Sequence, residues 1–162
     1  MDLQGIRRSA IAPALALLPA KMSGPAAEVM LLAIGLQESR FEHRRQIGGP
    51  ARGFWQFEAG GGIRGVLNHA LSRQPAQVIC RQRDTPASVS AVYSAIERDD
   101  ILAAVFARLL LWTDPKSLPA IGDAAAAWDL YLRTWRPGKP HPDTWPALYA
   151  QAVKAVTGKV PA

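Results

Sequence analysis

The segment between residues 26 and 41 constrains the fold of this 162-residue chain more than any other part of it. Its centre, from position 29 to position 36, is an apolar run interrupted only by one glycine. A helix over these residues has almost no polar face, and a helix that is apolar all round belongs in the middle of a fold. We expect Ser23 to cap this helix and Glu28 to lie in its first turn, where the helix dipole favours an acid.

Shorter apolar stripes predict further helices along the rest of the chain. They cover residues 9–18 and 63–71, a short segment beginning at Pro75, a segment after Pro86, residues 101–112 with Asp99 or Asp100 as the cap, a segment beginning at Asp123, and residues 143–156. Apolar residues make up 49% of the chain and charged residues 20%, without a long polar tract. The sequence therefore predicts one all-α domain over residues 1–162, with at most a minimal β-hairpin.

Charge and cysteine content narrow the classes of partner. Nineteen Lys and Arg against thirteen Asp and Glu give a net charge of +6, which favours polyanions. These basic residues are scattered, so we do not expect nucleic acid to be the partner. Cys80 is the only cysteine, which excludes a disulfide within the chain. His43, His69 and His141 show no ligand spacing, and we expect neither a metal nor a cofactor.

The N-terminal region only partly resembles a secretory signal. Arg7 and Arg8 precede a short apolar stretch at positions 11–20, but two prolines interrupt that stretch. A packed N-terminal helix accounts for the same residues. No segment of the sequence reaches the roughly 20 apolar residues that a membrane-spanning helix needs. We expect a monomer that does not insert stably into a membrane.

Glu38 is the first candidate for chemistry, because it lies in the final turn of the predicted apolar helix. Loss of water contacts and the negative end of the helix dipole both disfavour its ionised form, so its pKa should be raised. A carboxylic acid that keeps its proton near neutral pH can protonate a leaving oxygen, as glycoside cleavage requires. In the alternative interpretation, Glu38 is simply the first residue of the helix to reach solvent.

The connection between residues 42 and 62 is long and rich in glycine, and long ordered connections are often functional. It contains a short aromatic run in which the flat faces of Phe54 and Trp55 are suited to stacking on sugar rings. The amide of Gln56 can bind a hydroxyl or N-acetyl group. Alternatively, the two aromatic residues form a small satellite core and Gln56 ties the loop backbone together.

Two motifs resemble those of the lysozyme-like superfamily, and within it the soluble lytic transglycosylases, especially small phage-encoded members. Glu38 and Ser39, with an apolar lead-in and Phe41 after them, are similar to that family's catalytic Glu-Ser at a helix end. Residues 49–56 are similar to a second motif, Gly-x-x-Gly followed by an apolar pair and Gln, although the first glycine is one position out of place. The resemblance extends from about residue 29 to residue 139.

A third family motif, Ala-Tyr-Asn, is only approximately present. Ala-Trp-Asp occupies it at positions 127–129, and Tyr131 follows two residues later. This departure leaves open whether Trp128 or Tyr131 lines the site beside the acid. We favour Tyr131, because a phenol can donate a hydrogen bond to a carboxyl group and orient it. The alternative is that Tyr131 is a core aromatic residue.

The resemblance implies a lysozyme-like fold and cleavage of peptidoglycan at the β-1,4 bond between N-acetylmuramic acid and N-acetylglucosamine. Glu38 would act first as acid and then as base, while the 6-hydroxyl of the muramyl sugar closes onto the anomeric carbon. Substrate contacts would come from the residues around it, namely Ser39, Phe54, Trp55, Gln56 and Tyr131. Such a protein would act on the periplasmic wall from the host cytoplasm or from a phage virion, and the sequence does not choose between late lysis and entry.

Two alternatives remain open at the level of sequence. A hydrolytic lysozyme needs a second carboxylate, and Glu58 follows the aromatic run. Glu42 lies four residues after Glu38 and would share its helix face if the helix continued. In the other alternative the protein is a non-catalytic wall-binding or virion structural protein whose site is inert.

Overall fold

A computed structural model describes residues 2–161, and within that range the chain is helical, with isolated β-bridges and no extended strand. The bridges join Arg52 to Arg45 and to Phe57, in the long connection after the first buried helix. The predicted all-α class is confirmed. The helices are α1 (Leu3–Ile6), α2 (Ala12–Leu17), α3 (Pro25–Ser39), α4 (Arg64–Asn68), α5 (Arg73–Gln82), α6 (Val89–Ile96), α7 (Asp100–Trp112), α8 (Ala124–Trp135) and α9 (Trp145–Thr157).

The N-terminal helix begins earlier than the predicted residue 9. Helices α1 and α2 are joined without a break by a π-helical segment, Arg7–Ile11, and the amide of Ala12 bonds to the carbonyl of Arg7. Pro13 follows at the start of α2 and has no amide hydrogen to donate. A wider π-turn before a proline makes room for its ring, which would otherwise collide with a carbonyl of the preceding turn.

Helix α3 is the predicted central helix, with different ends. Its N-cap is Gly24 and makes no side-chain capping bond, so the prediction that Ser23 caps the helix is wrong. Pro25 occupies the first helical position instead, where its missing amide hydrogen costs nothing. Glu28 does lie in the first turn and pairs with Arg7 at 2.7 Å. The helix ends at Ser39, two residues before the predicted end.

Helix α7 is as deeply buried as α3. The sequence pattern alone did not predict that α7 would be a central helix. Every residue from 102 to 111 is buried. This helix packs against the N-terminal helix and α3, while α3 packs mainly against α9. Asp99, one of the two predicted candidates, caps α7 through its side chain, and Asp123, where a helix was predicted to begin, caps α8 in the same way. One hydrophobic cluster includes buried residues from all of α1 to α9.

Between the two buried helices, the chain forms three short helices. The helix predicted at residues 63–71 is shorter, because Ala59–Ile63 form a π-turn and α4 covers only Arg64–Asn68. Helix α5 begins two residues before Pro75, and α6 follows the predicted pattern after Pro86. No helix in residues 2–161 is long and apolar enough to cross a membrane.

Arg108 is the one charged residue within the buried stretch of α7, and its side chain is almost completely covered. Its Nε donates to the carbonyl of Met22 at 2.7 Å, and its guanidinium lies 5.4 Å from the ring centre of Trp112. Its Nη1 has no hydrogen-bond partner among the described residues. Burial lowers the pKa of Arg108 to about 10, which still leaves it charged at neutral pH.

Candidate active site

Glu38 lies in the last turn of α3, half-buried, as the apolar helix predicted. Burial raises its pKa to about 7, and the hydrogen bond that it accepts from Tyr131 offsets part of that rise by favouring the ionised form. Near neutral pH, a large fraction of the molecules therefore carries a protonated Glu38. The predicted direction of the pKa shift is confirmed.

Tyr131, on α8, is the immediate partner of Glu38. Its hydroxyl donates to Oε1 of Glu38 at 2.5 Å, across 93 positions of sequence. Burial, and then the charge and the hydrogen bond of Glu38, raise the pKa of the Tyr131 phenol. The phenol therefore keeps its proton over the working pH range and serves as a fixed donor. Of the two candidates left open by the sequence, Tyr131 bonds to the acid and Trp128 packs against Tyr131.

The second oxygen of the Glu38 carboxyl, Oε2, has no hydrogen-bond partner among residues 2–161. It is also not sealed from solvent, since the only unpartnered side-chain atom sealed in this range belongs to Arg108. The carboxyl group is thus held through one oxygen, and the other is open to a ligand. A carboxyl group held this way can deliver or accept a proton at a fixed point.

An aromatic cluster from α8 and α9 holds Tyr131 in place. Trp145 stacks on it with ring centres 5.4 Å apart and an interplanar angle of 12°. The Trp145 indole is itself fixed, because its Nε1 donates to the carbonyl of Ala124 at 2.9 Å. Trp128 and Trp135 contact the Tyr131 ring at 5.3 and 6.3 Å between centres. Tyr131 is therefore a core aromatic residue and a partner of the acid at once.

Ser39 does not face the site. It is 1% exposed, its hydroxyl donates to the carbonyl of Phe54 at 2.7 Å, and it accepts from the amide of Phe41 at 3.1 Å. The expectation that Ser39 contacts substrate is wrong, because the side chain is enclosed. Its hydroxyl attaches the aromatic loop to the end of α3.

Phe41 covers this junction by folding back onto α3. Arg40 and Phe41 both adopt left-handed backbone conformations, with φ of 56° and 55°, which reverse the chain after Ser39. The ring of Phe41 lies against Gly35, where an added Cβ would stand only 2.1 Å from a ring carbon. Glycine at position 35 is therefore required for this close approach, and the turn places Glu38 at an abrupt helix end.

Phe54 and Trp55 are core residues, and the expectation that they form a sugar platform is wrong. Neither side chain is more than 2% exposed. Both rings pack edge-on against Phe41, at 5.4 and 5.7 Å between centres. The indole Nε1 of Trp55 donates to the carbonyl of Leu31 at 2.8 Å. The loop is anchored by the very faces that were expected to bind sugar.

Gln56 lies half-buried in a left-handed conformation, with φ of 52°. Its side-chain nitrogen donates to the carbonyl of Gly53 at 2.9 Å. Gly53 itself has φ of 75° and packs against Ile96, which leaves no room for a side chain. One N–H of the Gln56 side-chain amide thus closes its own turn, in agreement with the loop-tying interpretation.

Neither of the two additional carboxylates contributes to the pKa shift of Glu38. Glu58 is exposed at the end of the aromatic loop and makes no ion pair among the described residues. Glu42 is also exposed, and it lies beyond the end of α3. The suggestion that Glu42 shares a helix face with Glu38 is wrong, because the helix ends at Ser39.

Two contacts beside Glu38 escaped the sequence-based predictions. Trp135 is half-buried, packs on Phe57 with ring centres 5.8 Å apart, and donates its Nε1 to the carbonyl of Trp55 at 2.9 Å. Gln37 donates to the carbonyl of His141 and accepts from the hydroxyl of Thr144, both at 3.1 Å. The sequence feature that could have predicted the role of Trp135 is its spacing, because it lies four residues after Tyr131 and hence on the same helix face.

No other part of the described surface is a stronger candidate for a functional site. A groove of about 560 Å³ between α3 and α9 is lined by Leu36, Arg40, Asp143 and Gln151 among others, but not by Glu38. Within residues 2–161, no group of three or more His, Cys, Asp or Glu side chains could hold a metal ion. The candidate site is therefore the Glu38–Tyr131 pair with its aromatic surroundings.

Comparisons with protein-family models, with curated proteins and with solved structures found no match. The resemblance to the lysozyme-like superfamily therefore stays a prediction from the motif residues.

Proposed function

We propose that this protein cleaves the glycan strands of bacterial peptidoglycan as a lytic transglycosylase, with Glu38 as its catalytic residue. The observation that carries the proposal is the Glu38 carboxyl group. It has a pKa raised to about 7, one oxygen held by Tyr131 and the other open to solvent. An acid with these properties meets the two requirements of a general acid, which are a retained proton and a fixed position.

In the proposed reaction, the Glu38 hydroxyl gives its proton to the glycosidic oxygen between N-acetylmuramic acid and N-acetylglucosamine as the bond from that oxygen to the anomeric carbon breaks. The resulting carboxylate takes the proton of the muramyl 6-hydroxyl. Oxygen 6 then bonds to the anomeric carbon, which leaves a 1,6-anhydro sugar and restores protonated Glu38. No water is consumed, and no second carboxylate is needed.

Tyr131 supports both halves of this cycle. Its hydrogen bond fixes the position of Glu38 before proton transfer and stabilises the carboxylate that forms afterwards. Stacking on Trp145 keeps the phenol from turning away. The aromatic cluster thereby acts on the chemistry through the position of one hydroxyl group.

No other carboxylate contributes to the pKa shift of Glu38, which favours transglycosylation over hydrolysis. In ordinary glycosidases, two carboxyl groups flank the scissile bond at about 5 to 9.5 Å from one another. Glu58, the predicted second carboxylate, is exposed and makes no hydrogen bond within the described part of the chain that would hold it towards Glu38. A hydrolytic mechanism through Glu58 is the competing possibility that the following experiment tests.

The experiment is mass spectrometry of fragments released from purified cell walls by wild type, Glu38→Gln, Glu58→Gln and the exposed control Glu42→Gln. We expect anhydro ends from wild type, Glu58→Gln and Glu42→Gln, and no release by a folded Glu38→Gln. Reducing ends that disappear in Glu58→Gln would instead establish hydrolysis. Full release by Glu38→Gln would overturn the proposal, and wall binding without release by wild type would support a non-catalytic role.

A further inference from the structure

Trp128 and Trp135 lie on the same face of α8 as Tyr131, one before it and one after it. Both indoles are partly exposed, and both contact the Tyr131 ring, which fixes the face that they share. Seven residues separate them, which along a helix is about 10 Å. Tyr131, which donates the hydrogen bond to Glu38, therefore lies between two partly open aromatic surfaces. The distance between these surfaces is on the order of the length of two sugar rings.

The three tryptophans that contact Tyr131, together with Trp55 in the aromatic loop, differ in what their indole N–H groups do. Trp55, Trp135 and Trp145 each donate to a backbone carbonyl at 2.8 to 2.9 Å. Trp128 has no such partner among residues 2–161, and its nitrogen is not sealed from solvent. Buried indoles usually find a hydrogen-bond partner, so the unused donor of Trp128, next to Tyr131, is available to a ligand.

The chemistry of this surface limits what it can bind. An aromatic face with one neutral N–H donor suits an uncharged ring that carries a carbonyl acceptor. The acetamido group of an N-acetylated sugar provides that acceptor. Trp135 differs from Trp128, because its N–H is tied to the Trp55 carbonyl and its ring packs on Phe57. Trp135 therefore offers a ligand only a fixed aromatic surface, whereas Trp128 offers an aromatic surface and a hydrogen-bond donor.

We propose that Trp128 and Trp135 are sugar-binding surfaces on either side of Tyr131, the hydrogen-bond partner of Glu38, and that the indole N–H of Trp128 donates to the acetamido oxygen of an N-acetylated sugar. This inference rests on the proposed function for the identity of the glycan. It assigns recognition of the sugar to α8 and leaves Phe54 and Trp55 to hold the fold.

The test measures binding by calorimetry in the Glu38→Gln background, where no turnover occurs. The probes are the β-1,4-linked tetrasaccharide of N-acetylglucosamine and the tetrasaccharide of glucose, which lacks acetamido groups. Trp128→Phe keeps an aromatic ring and loses the donor. We expect it to weaken binding of the N-acetylated probe about tenfold, as one hydrogen bond allows, and to leave binding of the glucose probe nearly unchanged.

Trp112→Phe is the matched control. Trp112 is also half-buried, and its N–H also has no partner in the described range, but it packs beside Arg108 and Lys21. This variant should bind both probes as the background does. Trp135→Phe loses the hydrogen bond to the Trp55 carbonyl and tests the second aromatic surface. We expect this variant to bind both probes more weakly. Melting temperatures establish that each variant is folded.

The outcomes separate this inference from the proposed function. Equal affinity of Trp128→Phe and Trp112→Phe for the N-acetylated probe would overturn the inference, even if wild type cleaves walls. Binding that depends on Trp128, in a protein that releases no wall fragments, would support the inference and overturn cleavage. Absence of binding to the N-acetylated probe in the parent variant would overturn the inference, and wall digestion by wild type would then decide the proposed function separately.

Discussion

Glu38 and Arg108 are both ionisable groups that pack against the hydrophobic core, and burial shifts both pKa values towards neutrality. The shift brings Glu38 from an ordinary carboxylate value to about 7, whereas Arg108 falls only to about 10. Glu38 is bonded to a side chain that other aromatic rings hold in place, and Arg108 to the backbone carbonyl of Met22. One group can change its charge under physiological conditions and the other cannot.

The difference shows that burial alone does not make a reactive site. Glu38 has an open oxygen and a neutral donor as its partner, so its proton can be transferred to a ligand. Arg108 has a nitrogen that is sealed and unpartnered in the described structure, and it remains a permanent cation. We therefore expect Glu38 to control activity and Arg108 to affect stability only.

The largest effect should come from removing the acid. Glu38→Gln should lower the rate of wall digestion on the order of 10³-fold, because it removes general acid and base catalysis. Arg108→Met should leave the rate per folded molecule unchanged. Initial rates of turbidity clearing at pH 6 measure both. A comparable loss of rate in Arg108→Met would erase the distinction between the two regions.

The next effect concerns the pH dependence of stability. Folded Glu38 holds its proton up to about pH 7, whereas the unfolded chain releases it near 4.5, so the folded state binds more protons between these values. The stability that protonated Glu38 provides is full below pH 4.5 and is lost as the pH rises to 7. The cost above pH 7 is about 3 kcal/mol. Urea denaturation should show that Glu38→Gln loses less stability than wild type over this window, and parallel pH curves would contradict the raised pKa.

Tyr131→Phe should have an intermediate effect. The hydrogen bond from Tyr131 lowers the pKa of Glu38, so its removal should raise that pKa further and move the alkaline limb of the rate profile to higher pH. Loss of positioning should lower kcat about tenfold. Tyr149→Phe is a control in the same aromatic stack, where the hydroxyl accepts from the amide of Gly122 instead. An alkaline limb at the same pH in Tyr131→Phe and in wild type would show that Tyr131 does not act on Glu38.

The smallest effect should be the stability change in Arg108→Met. The variant loses the bond to the Met22 carbonyl but also the cost of a buried charge, and these terms oppose one another. We expect a net change within about 1 kcal/mol, constant between pH 5 and 8, because Arg108 does not titrate in this range. Urea denaturation at pH 5 and pH 8 measures this change in stability. A change that differs between the two pH values would mean that Arg108 is coupled to a titrating group.

Much of the site's local framework could be predicted from the sequence. The apolar run before Glu38 predicted a buried helix with a raised carboxyl pKa at its end, and the acidic residues before two apolar stretches predicted a helix cap at Asp99 or Asp100 and a helix start at Asp123. These are local properties, set by hydrophobic pattern and by hydrogen bonds over three residues. The hydrogen bond from Tyr131 was also predicted, but from the resemblance and the chemistry of a phenol.

The sequence by itself thus determined an all-α chain with an acid at the end of a buried helix. Only the tertiary structure decided which aromatic residues surround that acid. Phe54 and Trp55 are enclosed where Phe41 folds back over Gly35, while Trp128 and Trp135, which flank Tyr131 along α8, stay partly exposed. An aromatic side chain gains free energy by burial wherever a partner surface exists, and that surface comes from distant parts of the chain.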